Sequence, residues 1–595
     1  HPTDRALFPR KESSDGESEE SPARRRPGGR RTMPGAVKAG SRPPWLGLGA
    51  AVWLQASAGT SSAFALYSHA LKVALGADQS RVALLGVACN VGDSLGLLPG
   101  VVCNKLHPAL LLLVAAASGL LGYGVTWLAV SGVAPALPYW LIWIALCMGS
   151  NSGAWMSTAA LVTNMRNFPL SRGAVAGILK GYSGLSAAVY TAIYTGALHG
   201  SAANLLLFLT LGVAIVCLLA MYFVRPCEPS LVENSSERVH FLFVQINSAL
   251  LGVYLVCATT LDRFVTLTPA LNYSLIAIMV ILILAPFAIP VKMTLFRSVP
   301  RKVTSAAADN DFTEPFLLPS SSEPNFGKIE DEDAADIDLL LAEGEGAVKQ
   351  KRRRPKRGED FRFREALLKA DFWLLFAVFF IGVGSGVTVL NNLAQVGTAA
   401  GVVGTTISVS LFSLGNFFGR LGGGAVSDYF VRSRTLPRTV LITCTQVVMI
   451  VNYLVFALGL KATLYISVAI LGVCYGVHFS VMVSTSSELF GLKQFGKIYN
   501  FILLANPLGA LVFSSLAGYV YDHEAAKQHS VAAVAGSDHV MVCYGPSCFR
   551  LTFFVLSGMA CLGTFLSVIL TVRIRPVYQT LYGGGPSSQP RSSAH

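Results

Sequence analysis

The chain has 595 residues, of which 53% are hydrophobic and only 13% charged, with a mean hydropathy of +0.54. Soluble domains carry about 25% charged residues, so this deficit, with many apolar runs of about 20 residues, excludes an ordinary soluble protein and points to an all-α, multi-pass membrane protein. The formal net charge of +13 sits mostly in loops and tails, which reads as membrane orientation and not as nucleic-acid binding.

Residues 1–44 are polar, rich in Arg and Pro, and form an expected disordered tail. They lack the apolar stretch of a secretory signal, and the acidic run Glu17–Glu20 argues against an organellar transit peptide. Met33 is the expected initiator; N-terminal sequencing that found residues 1–32 would overturn this. Six apolar spans follow at about 46–67, 79–102, 108–130, 139–163, 172–195 and 203–224, giving a first six-helix bundle over 45–225. Two extra helices are expected within 238–296. An insert over 297–370, with an acidic block (Glu330–Asp338) and a basic block (Lys351–Arg357), reads as disordered. Six more spans, at about 372–396, 404–426, 438–459, 463–486, 496–520 and 550–573, form a second bundle over 371–575, and 576–595 is an expected disordered tail. With a cytosolic N-terminus, about twelve basic residues fall in short inside loops against about six outside, as the positive-inside rule requires. The insert is then cytosolic.

The stretch Asn167–Ser186 is the most informative. After a turn at Pro169 comes an apolar helix with Gly173, Gly177, Gly181 and Gly184 around one charge, Lys180. At 100° per residue, Gly173, Gly177, Gly184 and Lys180 share roughly a 60° arc, with Gly181 beside it. Small residues at four-residue spacing let a second helix approach closely in lipid. Lys180 therefore points along a packed seam about 12 Å beyond Arg172, where a charge is a site candidate. Asp93, on the second span with Asn90 and Gly96 on its face, is a candidate proton carrier, with a salt bridge inside the bundle as the alternative. Gln55 and Asn151 lie near mid-bilayer, where amides hold a polar solute or bond helix to helix. Tyr475 and His478, on the twelfth span, are candidates for facing the solute, against a packing role.

Other chemistry is excluded by spacing. Gly491-Leu-Lys-Gln-Phe-Gly-Lys-Ile nearly spells a phosphate-binding loop, but Ile498 stands where Ser or Thr is needed, and no strand precedes it. No Ser/His/Asp or HExxH arrangement has supporting context, and the 11 cysteines show no metal-ligand spacing. Neither enzyme activity, cofactor nor metal is expected. Asn234-Ser-Ser is a glycosylation sequon in a cytosolic loop, and so is expected to be unused.

The loop after the second span of the second bundle, Gly415-Asn-Phe-Phe-Gly-Arg-Leu-Gly-Gly-Gly-Ala-Val-Ser-Asp-Tyr429, resembles the loop signature of the major facilitator superfamily. Its counterpart in the first bundle, Gly96-Leu-Leu-Pro-Gly-Val-Val-Cys-Asn-Lys-Leu106, lacks the acidic partner. Trp53-Leu-Gln-Ala-Ser-Ala-Gly59, Gly122-Tyr-Gly-Val-Thr-Trp127, the Asn167-Phe-Pro to Lys180-Gly-Tyr stretch, Lys369-Ala-Asp-Phe-Trp and Ala517-Gly-Tyr-Val-Tyr-Asp-His-Glu524 resemble the nodulin-like branch of that superfamily. This branch includes plant nuclear-fusion-defective-like proteins. It is similar, more distantly, to oxalate/formate exchangers and monocarboxylate-transporter-like proteins. The resemblance covers about residues 45–575 and implies a major facilitator fold, two six-helix bundles plus about two extra central helices, and a solute transporter. Relatives tend to carry an acidic residue where this chain has Asn391, so no proton or cation role is carried over to that position.

Two functions are set against each other. One is a secondary active or facilitative transporter of a small polar, anionic, monocarboxylate-like solute, with Lys180 attracting the anion, Gln55, Asn151, Tyr475 and His478 around it, and proton coupling through Asp93. The other is a non-transporting receptor or scaffold acting through its insert. The cost of charges within the membrane favours the first. Arg420, Asp428 and Glu488 are expected to form a cytosolic-side latch, which by the superfamily resemblance stabilises the outward-facing state. Asp336-Ile-Asp-Leu-Leu340-Leu341 is an acidic dileucine pattern, so the expected location is the plasma membrane or a vacuolar/endosomal membrane. Cys543 and Cys548 flank Gly545 and Pro546 in a loop placed outside, where a turn and an oxidising compartment favour a disulfide.

Overall fold

A computed structural model describes residues 42–76, 79–134, 137–227, 235–264, 268–295, 358–401, 406–533 and 543–582. Met33, the Asn234 sequon, the acidic and basic blocks of the insert, and Leu340 and Leu341 lie outside the described residues. All regular elements described are helices. The first bundle comprises α1 (Arg42–Ala58) with its continuation α2 (Phe64–Leu75), α3 (Gln79–Ser94) with α4 (Leu97–Val102), α5 (Pro108–Val130), α6 (Tyr139–Asn167), α7 (Arg172–Gly196) and α8 (Ala202–Phe223). The two extra helices are α9 (Ser235–Phe264) and α10 (Pro269–Leu284) with α11 (Ala288–Leu295). A short α12 (Phe363–Leu367) precedes the second bundle. That bundle comprises α13 (Ala370–Asn391) with α14 (Leu393–Ala399), α15 (Thr406–Arg434), α16 (Thr439–Ala457), α17 (Lys461–Phe490), α18 (Phe495–Leu503) with α19 (Ala505–Ala533), and α20 (Ser547–Tyr582). The protein is thus an integral, multi-pass membrane protein with two six-helix bundles and a helix pair between them in sequence.

Among the described residues, ten helices are long and apolar enough to cross a membrane. The helices α6, α7 and α15 are not among them. They carry Gly, Ser, Asn and charge on faces buried against protein, where close backbone approach replaces aliphatic packing. Within the first bundle α5 packs on α6 and α8, and α1 on α6, α7 and α8; within the second α15 packs on α17, and α16 on α20. The bundles meet chiefly where α7 lies along α15, with α17 and α18 completing the contact against α7 and α4. Gly177 and Gly424 set that spacing. A Cβ on Gly177 would sit 3.1 Å from the Gly424 Cα and 2.9 Å from the Arg420 carbonyl oxygen.

Two segments expected to be disordered are packed in part. Residues 358–369, at the end of the insert, form a turn and α12, with Phe361 and Ala366 buried. The segment 576–582 continues α20 through Pro576, and Tyr578 is fully buried. In both, aromatic side chains within a polar run supply the apolar area that ordering requires. Cys543 and Cys548 are joined by a disulfide, with the Cα atoms 5.9 Å apart.

Candidate functional site

Two clusters of charge occupy the seam between the bundles. The deeper one centres on Lys180 of α7, which is 5% exposed, and Arg420 of α15, which is 8% exposed. Lys180 Nζ donates to Ser157 Oγ at 3.1 Å and stands 5.2 Å from the centre of the Tyr499 ring. Arg420 Nη1 donates to the Lys180 carbonyl oxygen at 2.9 Å, and its Nε to Asn416 Oδ1 at 2.8 Å. The guanidinium lies 4.5 Å from the centre of the Phe479 ring. Among the described residues neither cation is in an ion pair; their partners are neutral oxygens and aromatic faces. The carboxylate that interacts with both at longer range is Asp93 of α3, which is exposed. Two buried cations therefore share one exposed carboxylate at longer range, and a buried charge without a close partner is costly.

The second cluster lies at the end of the seam that the positive-inside bias assigns to the cytosol. There Arg438 is the hub. Its Nε and Nη2 donate to the Glu488 carboxylate at 2.9, 2.9 and 2.7 Å, its Nη1 pairs with Asp428 at 2.6 Å, and it donates to Ser427 Oγ at 2.8 Å. Tyr578 and Tyr582 of α20 donate to the same Glu488 at 2.6 and 2.8 Å. Asp428 reaches across the seam and accepts the Gly173 and Ala174 N–H groups at 3.2 and 2.7 Å. These are among the free N–H groups of the first turn of α7, whose positive dipole end favours a carboxylate. Arg172 Nη1 donates to the Ser487 carbonyl at 2.8 Å and Arg432 Nη2 to the Leu170 carbonyl at 2.7 Å. Nearby, a Cβ on Gly96 would overlap the Asn500 amide, and one on Gly100 the Gly496 carbonyl. Together these contacts join the two bundles at this end of the seam.

The residues singled out from sequence divide between these places. Gly173, Gly177, Gly181 and Gly184 all face α15, meeting Asp428, Gly424, Phe417 and Arg420 respectively. Gln55 is fully buried, and its amide donates to Ser157 at 3.3 Å, so it abuts the Lys180 cluster. Tyr475 packs on Phe412 and Phe479 beside Arg420. Asn151 is committed to helix contacts: its amide donates to the Gly92 carbonyl at 2.8 Å, and its oxygen accepts from Trp155 at 2.9 Å. The structure does not bring His478 to the cluster. Its Nδ1 pairs with the Cys474 carbonyl at 2.8 Å and its Nε2 abuts Gly382 of α13, a packing position. Nor do Arg420, Asp428 and Glu488 form one latch. Asp428 and Glu488 meet on Arg438, whereas Arg420, two turns before Asp428 on α15, belongs to the Lys180 cluster.

With this geometry in hand, relatives can be compared. Residues 44–291 match the sequence model described as Nodulin-like, and residues 359–580 that of the NFD4 C-terminal domain. The chain is 28% identical over 541 residues, 90% of its length and 90% of the relative's, to Protein NUCLEAR FUSION DEFECTIVE 4 of Arabidopsis thaliana. The chain belongs to the nodulin-like branch of the major facilitator superfamily. A shorter match, 30% identical over 158 residues (26% of this chain, 38% of the relative), is to the uncharacterized MFS-type transporter YhjX of Escherichia coli strain K12. In fold this nodulin-like protein is similar to the human organic anion transporter MFSD10 (TETRAN), with a TM-score of 0.50 at 10% identity, over 88% of this chain and 99% of that one.

Several residues of the nodulin-like site were not singled out from its sequence. Ser157, Asn416 and Tyr499 sit among ordinary helix residues, and only the fold shows that they converge on Lys180 and Arg420. Arg438 had a signal, since it lies ten residues beyond Asp428 in the same basic loop, but sequence spacing does not show which acid it meets.

Proposed function

We propose that this protein carries a small anionic, monocarboxylate-like solute across its membrane by alternating access, as a secondary or facilitative transporter. The observation that carries this reading is the meeting of two buried cations, Lys180 and Arg420, one from each bundle, with Asp93 the one carboxylate in range of both among the described residues. A fold bears the cost of two such cations where an incoming anion supplies the missing charge. Because they come from opposite bundles, one carboxylate bound between them would contact both halves that must rock. Arg420 suits a carboxylate because its planar fork presents parallel donors, and Lys180 adds a point charge.

Asp93 gives this reading its coupling. With Asp93 ionised the cluster carries one net positive charge, and with Asp93 protonated it carries two. Proton and solute anion therefore assist each other's binding by the same factor, which is the thermodynamic basis of symport. Purified protein in liposomes should take up labelled acetate or lactate, faster when the outside is more acidic than the lumen. Asp93→Asn should keep uptake while losing the response to the pH gradient. Uptake of neutral sugars in preference to carboxylates would overturn the proposal.

A further inference from the structure

The segment Leu489–Gln494, the end of α17 and the turn before α18, is gripped from two sides. From the first bundle, Arg166 of α6 donates to the Leu492 carbonyl at 3.3 and 3.2 Å and to the Lys493 carbonyl at 3.1 Å. The same guanidinium donates to Asn104 Oδ1 at 2.7 Å. From the other side comes the segment just after the insert. Gly358 N donates to the Leu489 carbonyl at 3.3 Å and Phe361 N to the Phe490 carbonyl at 3.1 Å. Phe363 N donates to Gln494 Oε1 at 2.9 Å, and Asp360 Oδ1 accepts the Lys493 N–H at 3.1 Å. Phe361 is buried and anchors this strap, its ring centre 5.8 Å from that of Phe490. Gly491, at φ +76°, leaves room for Asp360, which a Cβ there would overlap.

The Leu492 carbonyl and the Lys493 N–H are the two ends of one planar peptide and point in opposite directions. Asp360 therefore holds the hydrogen of the same peptide whose oxygen takes the Arg166 guanidinium. A carboxylate at the N–H polarises the amide and makes its oxygen a stronger acceptor. We infer that Asp360 is a positioning residue of the cytosolic closure, acting on Arg166 through the 492–493 peptide. The end of the insert is thereby joined to a contact that breaks when the cytosolic side opens. This inference rests on the alternating access proposed above.

Cys103 is a native reporter of that opening. Its thiol is buried, 9% exposed, at the point where α4 meets α18, and a Cβ on Gly496 would overlap its sulfur. The experiment measures the rate at which a maleimide modifies Cys103 in permeabilised membranes holding the full chain, read by peptide mass. Arg166→Ala should speed modification most. Asp360→Asn, which keeps an acceptor but removes the charge, should speed it by about two- to fivefold, the range of an exposed charged contact. In an Arg166→Ala background the same Asp360→Asn change should have no further effect. Equal acceleration in both backgrounds would reduce Asp360 to an anchor of the strap and overturn the inference, as would a wild-type rate in Asp360→Asn. A Cys103 that stays sealed even in Arg166→Ala would overturn the alternating closure itself.

Discussion

At one end of the seam, Arg438 holds Glu488 and Asp428, two tyrosines complete the Glu488 carboxylate, and Asp428 caps the start of α7. About 12 Å deeper along α7, Lys180 and Arg420 have neutral hydrogen-bond partners among the described residues, with Asp93 the carboxylate at longer range. Both clusters are built on buried cations. The difference is that one cluster is saturated and the other is short of negative charge. A saturated buried network holds one arrangement, and removing its hub Arg438 leaves stranded charges. An unsaturated cationic pair costs stability, a cost that the proposed anion would offset. The seam thus has one charge network that satisfies itself and one that does not.

Substitutions can break this contrast. Arg438→Ala should have the largest effect on stability, because it strands two buried carboxylates; a loss of about 3–5 kcal/mol is expected, seen as a large fall in unfolding temperature and in membrane yield. Gly173→Ala should come next. Its methyl would overlap Asp428 and displace it from the α7 N–H groups, at a cost of about 1.5–3 kcal/mol for hydrogen bonds to a charged group. Faster modification of Cys103 would report the loosened closure, and an unchanged rate would show that Asp428 does not hold it. Tyr582→Phe removes one of several donors to the Glu488 carboxylate and should cost about 1.5 kcal/mol, the low end for a hydrogen bond to a charged group. At the other cluster, Lys180→Ala should leave the unfolding temperature unchanged or raise it, since it removes an uncompensated buried cation. A fall like that of Arg438→Ala would mean that Lys180 is a structural charge with a partner of its own.

The contrast also explains how far the sequence could be read. Apolar runs, basic loops and the glycine spacing of α7 are local signals, so the two bundles, the extra pair and the exposure of Lys180 to a packed seam were all legible. Pairing across the seam was not. Arg420 and Asp428 share one signature loop, yet eight residues on a helix separate them by about 12 Å, and each meets a different set of partners. For His478 the sequence left a solute-facing role set against a packing role, and its contacts, the Cys474 carbonyl and Gly382, are those of packing. The ends of the polar segments were misjudged for a similar reason. Phe361 and Tyr578 find their apolar partners only in the folded protein.

The central claim is that the unsatisfied cluster is an anion site, and uptake by the Lys180 variant tests it most directly. Wild-type protein and Lys180→Ala, reconstituted at equal density in liposomes, would be given labelled acetate, lactate and glucose. The account predicts saturable carboxylate uptake by the wild type, none of glucose, and no carboxylate uptake by Lys180→Ala despite an unfolding temperature at least as high. Carboxylate uptake by Lys180→Ala at the wild-type rate would contradict it.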